Sequence, residues 1–264
     1  MQNILIVGAG NLSWHLSRVL QDAGYGVGLV SRQPARVADW PVRVLGVGDL
    51  AGEDCDLVVL AVPDHAIHPC STALALHLRP RLPVVHTSGA TPVALINSHF
   101  ARRGALWPIR SLRAHEPVGD WRNLPLAYHA DHPELLAELA ALTGSLSDQT
   151  YALDDQQRAR LHLAAVFSNN FVTWLYEISH QLCTESGIPF AALLPIIRNT
   201  ALSQDGRSPA LRQTGAAARG DEITLRRHLT LLADHPAYAE LYATLSELIR
   251  RGTATEQGGA AAGL

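Results

Sequence analysis

The chain opens on a short apolar run, Ile4-Leu5-Ile6-Val7, that stops at Gly8-Ala9-Gly10-Asn11-Leu12-Ser13 and gives way to an amphipathic stretch from Trp14 to Ala23. A brief apolar run bounded by glycine predicts a buried strand, and the longer periodic stretch predicts a helix. The alternation continues. Gly26 to Val30 reads as a second strand, Val42 to Leu45 as a third, and Asp56 to Val62 as a fourth, ended by Pro63-Asp64. Ile67 to Leu78 reads as a helix and Pro83 to His86 as a strand, followed by the small polar turn Thr87-Ser88-Gly89-Ala90. Thr91-Pro92 carries the cap-then-proline signal of a further helix. Ala105 to Trp107 and Leu124 to His129 are weaker strands, and Pro133 to Leu142 is helical. Strands alternating with helices predict a doubly wound, mostly parallel sheet over residues 1–150.

The pattern changes near residue 150. Asp154-Asp155 caps a helix that runs to about Ser186. Gly187-Ile188-Pro189 ends it and starts another, through Leu202. Asp221-Glu222 cap a helix to Ala233, and Pro236 opens one more to Arg251. No strand candidate appears, so residues 151–251 are predicted to form an all-α domain. Residues 252–264 read by composition as a disordered tail. The stretch from His162 to Val172 is apolar nearly all round, which predicts a buried helix.

The first turn carries the strongest chemistry. Strand, glycine turn and helix form the setting in which a GxGxx(G/A/S) pattern binds a dinucleotide. Gly8 permits the tight turn, Gly10 lets backbone approach a pyrophosphate, and Ser13 is small enough for the helix to pack on the strand. The amides at the helix start, at Asn11 and Leu12, would face the phosphates. The second strand ends in Ser31-Arg32, where an NAD site usually has Asp or Glu. A hydroxyl and a guanidinium, with Arg36 close by, suit the 2′-phosphate of NADP instead; the alternative leaves Arg32 a solvated loop residue. Strand ends line the crevice in such folds, which puts Val62, Pro63 and the His86-Thr87-Ser88-Gly89 turn beside the nicotinamide half.

Composition narrows the class. The chain has 264 residues, 47% apolar and 17% charged, with a net charge of −3. These values fit a globular protein and give no basic field for nucleic acid. No apolar run is long enough to span a bilayer, and the N-terminus reads as a strand, not a signal peptide. Cys55, Cys70 and Cys183 are few and scattered, as for reduced thiols in cytoplasm. His65 and His68, or His129 and His132, lack the companions of a metal site. The 21 basic residues are all arginine, so no lysine can act as acid or Schiff-base amine.

Several polar residues could carry chemistry. Ser88 either donates to a substrate or cofactor phosphate or is a plain turn serine. Asp64 is a helix cap or an acid. On the long helix, His162 and Asn169 are seven apart and share a face on α-helical spacing, with Asn170 about 80° from His162. A histidine with an orienting asparagine can deliver a proton to a carbonyl oxygen as hydride arrives; the same groups could instead form a network that pins the domains. Gln213-Thr214-Gly215 and Arg219-Gly220-Asp221 form a polar segment ahead of a helix, in which Arg219 could hold a carboxylate and Asp221 fits a cap.

The glycine fingerprint, His86-Thr87-Ser88-Gly89, Trp107-Pro108, His162 to Phe171, Leu194-Pro195 and Gln213-Thr214-Gly215…Arg219-Gly220-Asp221 together resemble the Rossmann-like proteins with a C-terminal DUF2520 domain, over about residues 1 to 250. The resemblance implies an NADP oxidoreductase related to the 6-phosphogluconate and β-hydroxyacid dehydrogenases. Members of that superfamily commonly dimerise through the helical domain, with the active site between domains. Ketopantoate and pyrroline-5-carboxylate reductases are more distant relatives. In β-hydroxyacid dehydrogenases a lysine four before an asparagine is the acid/base; here Ala165 and Val166 hold those places, so that mechanism does not carry over. Ala216 replaces the proline of the usual Thr-Gly-Pro, and Ile109-Arg110-Ser111 replaces Leu-Gln-Thr/Ser.

The sequence therefore points to an NADPH-dependent reductase of a small C=O or C=N compound bearing a carboxylate, with a 2-oxo acid of ketopantoate type as the first class to test. His162, Asn170, Ser88 and Thr214 are the expected substrate-side residues. The partners expected are a small-molecule substrate and a second copy of the chain, with no nucleic acid and no membrane. The alternative is a non-catalytic NADP(H)-binding sensor or scaffold.

Overall fold

The computed structural model describes residues 1–50 and 52–261, with side chains described through Gly252. The chain divides into two compact units, Met1–Phe171 and Val172 onward. The break falls at Phe171 rather than at the expected residue 150, because the elements just after 150 pack on the first unit.

The first unit is built on an eight-stranded sheet. Its strands are β1 (Asn3–Val7), β2 (Gly26–Val30), β3 (Arg43–Leu45), β4 (Leu57–Leu60), β5 (Val84–His86), β6 (Arg103–Pro108), β7 (Leu126–Ala130) and β8 (Thr150–Ala152). The order across the sheet is β3-β2-β1-β4-β5-β6-β7-β8. All neighbours are parallel except β6 and β7, which run antiparallel with Leu106 opposite Tyr128. The doubly wound, mostly parallel Rossmann sheet predicted from the apolar runs is the fold observed. β8 was not expected. Three residues at a sheet edge are too few to show a period, yet Thr150 pairs with Leu126 and extends the sheet.

Both faces of the central strands are covered, which explains their uninterrupted apolar sequence. Successive side chains point to opposite faces. Ile4 and Ile6 pack with Leu57 and Val59 on the side of α1 (Asn11–Asp22) and α3 (Pro133–Leu146). Leu5 and Val7 pack with Val58 and Leu60 on the side of α2 (Ile67–Leu74). Each fully buried Leu or Ile contributes about 1.5–3 kcal/mol relative to exposure. The helix expected at Thr91-Pro92 is only a single tight turn, Val93–Leu95. Its first amide, on Val93, is held by the Asp155 carboxylate at 3.1 Å.

α4 (Asp155–Ala165) begins where expected, with Asp154 and Gln157 forming a reciprocal capping box. It runs into a π-turn, Val166–Phe171, at the end of the first unit. The expectation that this stretch is buried is corrected: Leu163, Phe167 and Phe171 are 57%, 61% and 50% exposed. An all-apolar pattern shows that a helix needs covering, not that its own chain covers it.

The second unit contains α5 (Val172–Glu185), α6 (Leu194–Leu202), α7 (Ala216–Arg219), α8 (Glu222–Leu231) and α9 (Pro236–Ala261), with no strand among its described residues. Asp221 caps α8 by accepting from the Thr224 amide at 3.0 Å and its hydroxyl at 2.7 Å. The expected tail at 252–264 begins inside α9, which continues past Arg251 to Ala261; residues 262–264 lie outside the described residues.

Candidate functional site

The carboxyl ends of β1, β2 and β4 converge at the glycine turn. Gly8 donates to the Val30 carbonyl at 2.9 Å, and Ala61 donates to the Val7 carbonyl at 2.9 Å. Gly8 has φ +111°, a conformation few residues other than glycine adopt. Beyond it, Gly10 is the N-cap of α1, with no side chain capping the helix start and no acidic residue in the first turn. A Cβ at Gly10 would meet no atom within 4 Å. The first amides of α1 have no intrahelical carbonyl to satisfy them, and the space beside Gly10 is open.

That space is a cavity of about 760 Å³. Gly8, Gly10, Ser31, Arg32, Arg36, Val62 and Pro63 line it, together with Val47, His65, Pro69, Cys70 and Leu74. Asn11, Leu12 and Ser88 do not. Asn11 accepts from the Ala114 amide at 3.1 Å, and Leu12 packs on the core. In the cavity wall the Ser31 hydroxyl accepts from the Gln33 amide at 3.1 Å. Arg32 and Arg36 are exposed and take part in no ion pair among the described residues. Burial pushes the Cys70 thiol up, and the Arg32 charge pulls it back, so that cation bears on the cavity wall. Two cations that line a cavity reaching the uncapped start of α1 suit a dinucleotide with an extra phosphate.

The second cluster forms around the turn after β5. The Ser88 hydroxyl donates to Asp64 Oδ2 at 2.8 Å, lies 2.8 Å from Thr91 Oγ1, and accepts from the Ala90 and Thr91 amides. Its bonding capacity goes into the shape of the turn and the link to Asp64. Gly89 is wedged between two rings. A Cβ there would lie 2.7 Å from the Trp107 indole and 2.9 Å from His162 Nδ1. His162 stands edge-on to Trp107, with ring centroids 5.4 Å apart. The turn after β5, the end of β6 and α4 thus bring Ser88, Trp107 and His162 into one locality. His86 is fully buried behind the turn, and its Nδ1 accepts from the Ser88 amide at 3.2 Å. Burial first, and the Arg158 charge second, push its pKa down to about 4, so it is neutral near pH 7.

The other expected residues are placed differently. Asn169 donates to the Ser111 hydroxyl at 2.7 Å, and Asn170 is exposed. Both sit in the π-turn, where the 100° per residue that related them to His162 no longer holds. The Arg110 guanidinium donates to the Val118 carbonyl and holds its own loop. Thr214 is an exposed residue of the second unit, just before the N-cap Gly215 of α7. Sequence reasoning missed Arg158, whose side chain is 0% exposed and reaches the Ser88 and Thr91 carbonyls. The available signal was its spacing, four residues before His162. Cys55, Cys70 and Cys183 are free thiols. Among the described residues no three His, Cys, Asp or Glu side chains gather as a metal site, and no helix is long and apolar enough to cross a membrane.

A model of a domain of unknown function, DUF2520, matches residues 124–249. A provisionally named NADP oxidoreductase of Bacteroides fragilis is 32% identical over 95% of this chain and 98% of its own, with a TM-score of 0.84. The chain belongs to the DUF2520 family. Outside that level of identity, the family fold extends to a reductive aminase of Aspergillus terreus, solved with NADPH and ethyl levulinate, at 15% identity, 98% and 96% coverage and a TM-score of 0.70. An imine reductase of Myxococcus stipitatus, solved with NADP+, matches at 16% identity, 96% and 94% coverage and a TM-score of 0.65. No curated protein matches the chain.

Proposed function

We propose that this protein is an NADP(H)-dependent oxidoreductase that reduces the C=O or C=N bond of a small carboxylate-bearing compound. The observation that carries the reading is the cavity that joins the bare N-terminus of α1 to Arg32 and Arg36. The Bacteroides relative named for NADP, and fold neighbours that hold NADPH or NADP+, support the choice of cofactor. Gly8, Gly10 and the first amides of α1 would hold the diphosphate, and Ser31, Arg32 and Arg36 the 2′-phosphate. Bound NADPH would supply a hydride to the carbon of the C=O or C=N group.

This chain's residues would then manage the proton. His162, packed on Gly89 and Trp107, would hold a proton for the carbonyl oxygen, so that the carbon gains hydride and the oxygen gains a proton. An imine substrate already protonated on nitrogen would need no such donor. Trp107 and the Ser88 turn would shut water from one side, and Asn170 would contact substrate. The reading includes a homodimer, supported by the exposed apolar residues Leu163, Phe167 and Phe171. It also includes a cytoplasmic location, supported by three unpaired thiols.

The test is a thermal-shift comparison of NADPH with NADH, followed by a panel of 2-oxo acids and cyclic imines assayed by NADPH oxidation. A stabilisation with NADPH alone, and turnover that His162→Ala reduces, are expected. Binding of NADPH with no turnover across the panel would favour a sensor or scaffold over an enzyme.

A further inference from the structure

Arg158 is the largest charged group sealed inside the first unit, with its side chain 0% exposed. Taking a guanidinium out of water is costly unless its donors are matched. Here Nε and Nη2 are spent on one feature, while Nη1 finds no hydrogen-bond partner among the described residues. Nε donates to the Ser88 carbonyl at 3.2 Å, and Nη2 donates to the Thr91 carbonyl and to Asp155 Oδ1 at 2.8 Å. The Asp155 carboxylate in turn receives the Val93 amide. One arginine and its neighbouring acid thus grip the backbone of the turn after β5 at residues 88, 91 and 93, nearly seventy positions away in the chain.

The position of Arg158 on α4 gives that grip its meaning. Arg158 and His162 are four residues apart and lie on the same helical face. His162 rests on Gly89, inside the loop that Arg158 holds. Gly89 has no side chain to resist a change in spacing, so its separation from His162 depends on how firmly the flanking carbonyls are drawn to α4. We propose that Arg158 is a positioning residue, whose buried guanidinium clamps the Ser88–Thr91 turn against α4 and so fixes the His162 ring against Gly89 and Trp107. The proposal rests on the reading of His162 as the group that meets substrate, but the clamp itself does not require that reading. A lysine cannot do the same work, because a single ammonium lacks the planar fork that reaches two carbonyls and a carboxylate in fixed directions.

The experiment uses the full chain, labelled with ¹⁵N-histidine and saturated with NADPH. The parent protein should give one sharp set of His162 ring resonances, displaced by the Trp107 ring current. Arg158→Lys should keep the melting transition cooperative and the NADPH affinity within about twofold, since Arg158 does not line the cofactor cavity. It should broaden the His162 ring signals or remove their Trp107-induced displacement. Asp155→Asn, which keeps the guanidinium but weakens its anchor, should move the same signals less. With a substrate in hand, kcat should fall about tenfold or more while KM for NADPH holds. Unchanged His162 signals in folded Arg158→Lys overturn the proposal; if that variant does not fold, unchanged signals in Asp155→Asn do so. Failure of the parent to bind NADPH or turn over any substrate would instead count against the functional reading, and the His162 signals would still report on the clamp.

Discussion

Gly8 runs so close to Ala61 that a Cβ on residue 8 would lie 2.3 Å from the Ala61 carbonyl oxygen. That oxygen belongs to backbone at the end of β4 and cannot swing aside as a flexible side chain could. Gly10, two residues on, has nothing within 4 Å of the same notional atom. Gly8 is therefore required by the fold, and on the proposed function Gly10 is required by the ligand. Gly8→Ala should lower stability by about 1–3 kcal/mol from the φ of +111° alone, and more from the clash. Gly10→Ala should leave the melting temperature of the free protein almost unchanged and weaken NADPH by about tenfold or more. Thermal melts with and without NADPH separate the two. A Gly10→Ala protein that binds as the parent does would remove the diphosphate from this turn.

Arg32 sets the expected preference between the two nicotinamide cofactors. A hydrogen bond to a charged group contributes about 1.5–3 kcal/mol, so Arg32→Ala should weaken NADPH by about 10- to 100-fold. NADH, which lacks the 2′-phosphate, should change little. Arg32→Ala with Arg36→Ala should go further in the same direction. Equal losses for both cofactors in a calorimetric titration would mean that Arg32 shapes the cavity without reading the phosphate.

The buried His86 predicts a pH dependence of stability. Its pKa is pushed from 6.5 down to about 4, so the unfolded chain takes up the proton first as pH falls. Its contribution to stability is complete above 6.5. It is lost progressively between 6.5 and about 4, and levels off below that. The full difference is about 3 kcal/mol. Urea melts at a series of pH values should show this loss, and His86→Gln should be weaker at pH 7 but flatter between 6 and about 4. A parent protein equally stable at both ends of that window would contradict the burial of a neutral histidine at this position.

Phe167 tests whether a second copy covers the apolar π-turn. At 61% exposure it is a large ring with little cover from its own chain, packed edge-on to Phe171 at 5.0 Å. Phe167→Glu would place a charge in a dimer contact of the proposed kind. Sedimentation should show the parent as a dimer and the variant shifted toward monomer at the same concentration. A monomeric parent would remove the dimer from the proposed function.

Most of the sheet was legible because its central strands are buried on both faces and so carry unbroken apolar runs such as Ile4 to Val7. That Gly8, Gly10, Ser31, Arg32 and Arg36 line one cavity was legible for a related reason, since parallel strands end together and gather their terminal residues. The edge strand Thr150–Ala152 was not, being too short to leave a period. The π-turn at Val166–Phe171 was hidden because nothing in its composition marks a change of winding, and it altered the relation of Asn169 and Asn170 to His162. Arg158 was overlooked because an arginine amid other polar residues, Asp155-Gln156-Gln157, reads as the solvated face of a helix. Its burial depends on carbonyls supplied by a turn nearly seventy residues earlier, which no local pattern reports.

Gly89 gives the sharpest test of the proposed substrate-side site. A methyl group there would lie 2.7 Å from the Trp107 ring and 2.9 Å from His162 Nδ1, both inside normal contact distance. Unlike the clash at Gly8, these contacts are with side chains, so the rings can give way and the fold should survive. Gly89 is not part of the cavity that Gly8 and Arg32 line. Gly89→Ala should therefore leave NADPH binding near that of the parent while lowering kcat by about tenfold or more, since an ångström of displacement at a catalytic group can cost about a hundredfold. Measuring NADPH affinity and turnover on the same preparation distinguishes a displaced His162 from a damaged fold. If turnover is unchanged while the rings have moved in a structure of the variant, the chemistry lies elsewhere in the protein and His162 is a packing residue.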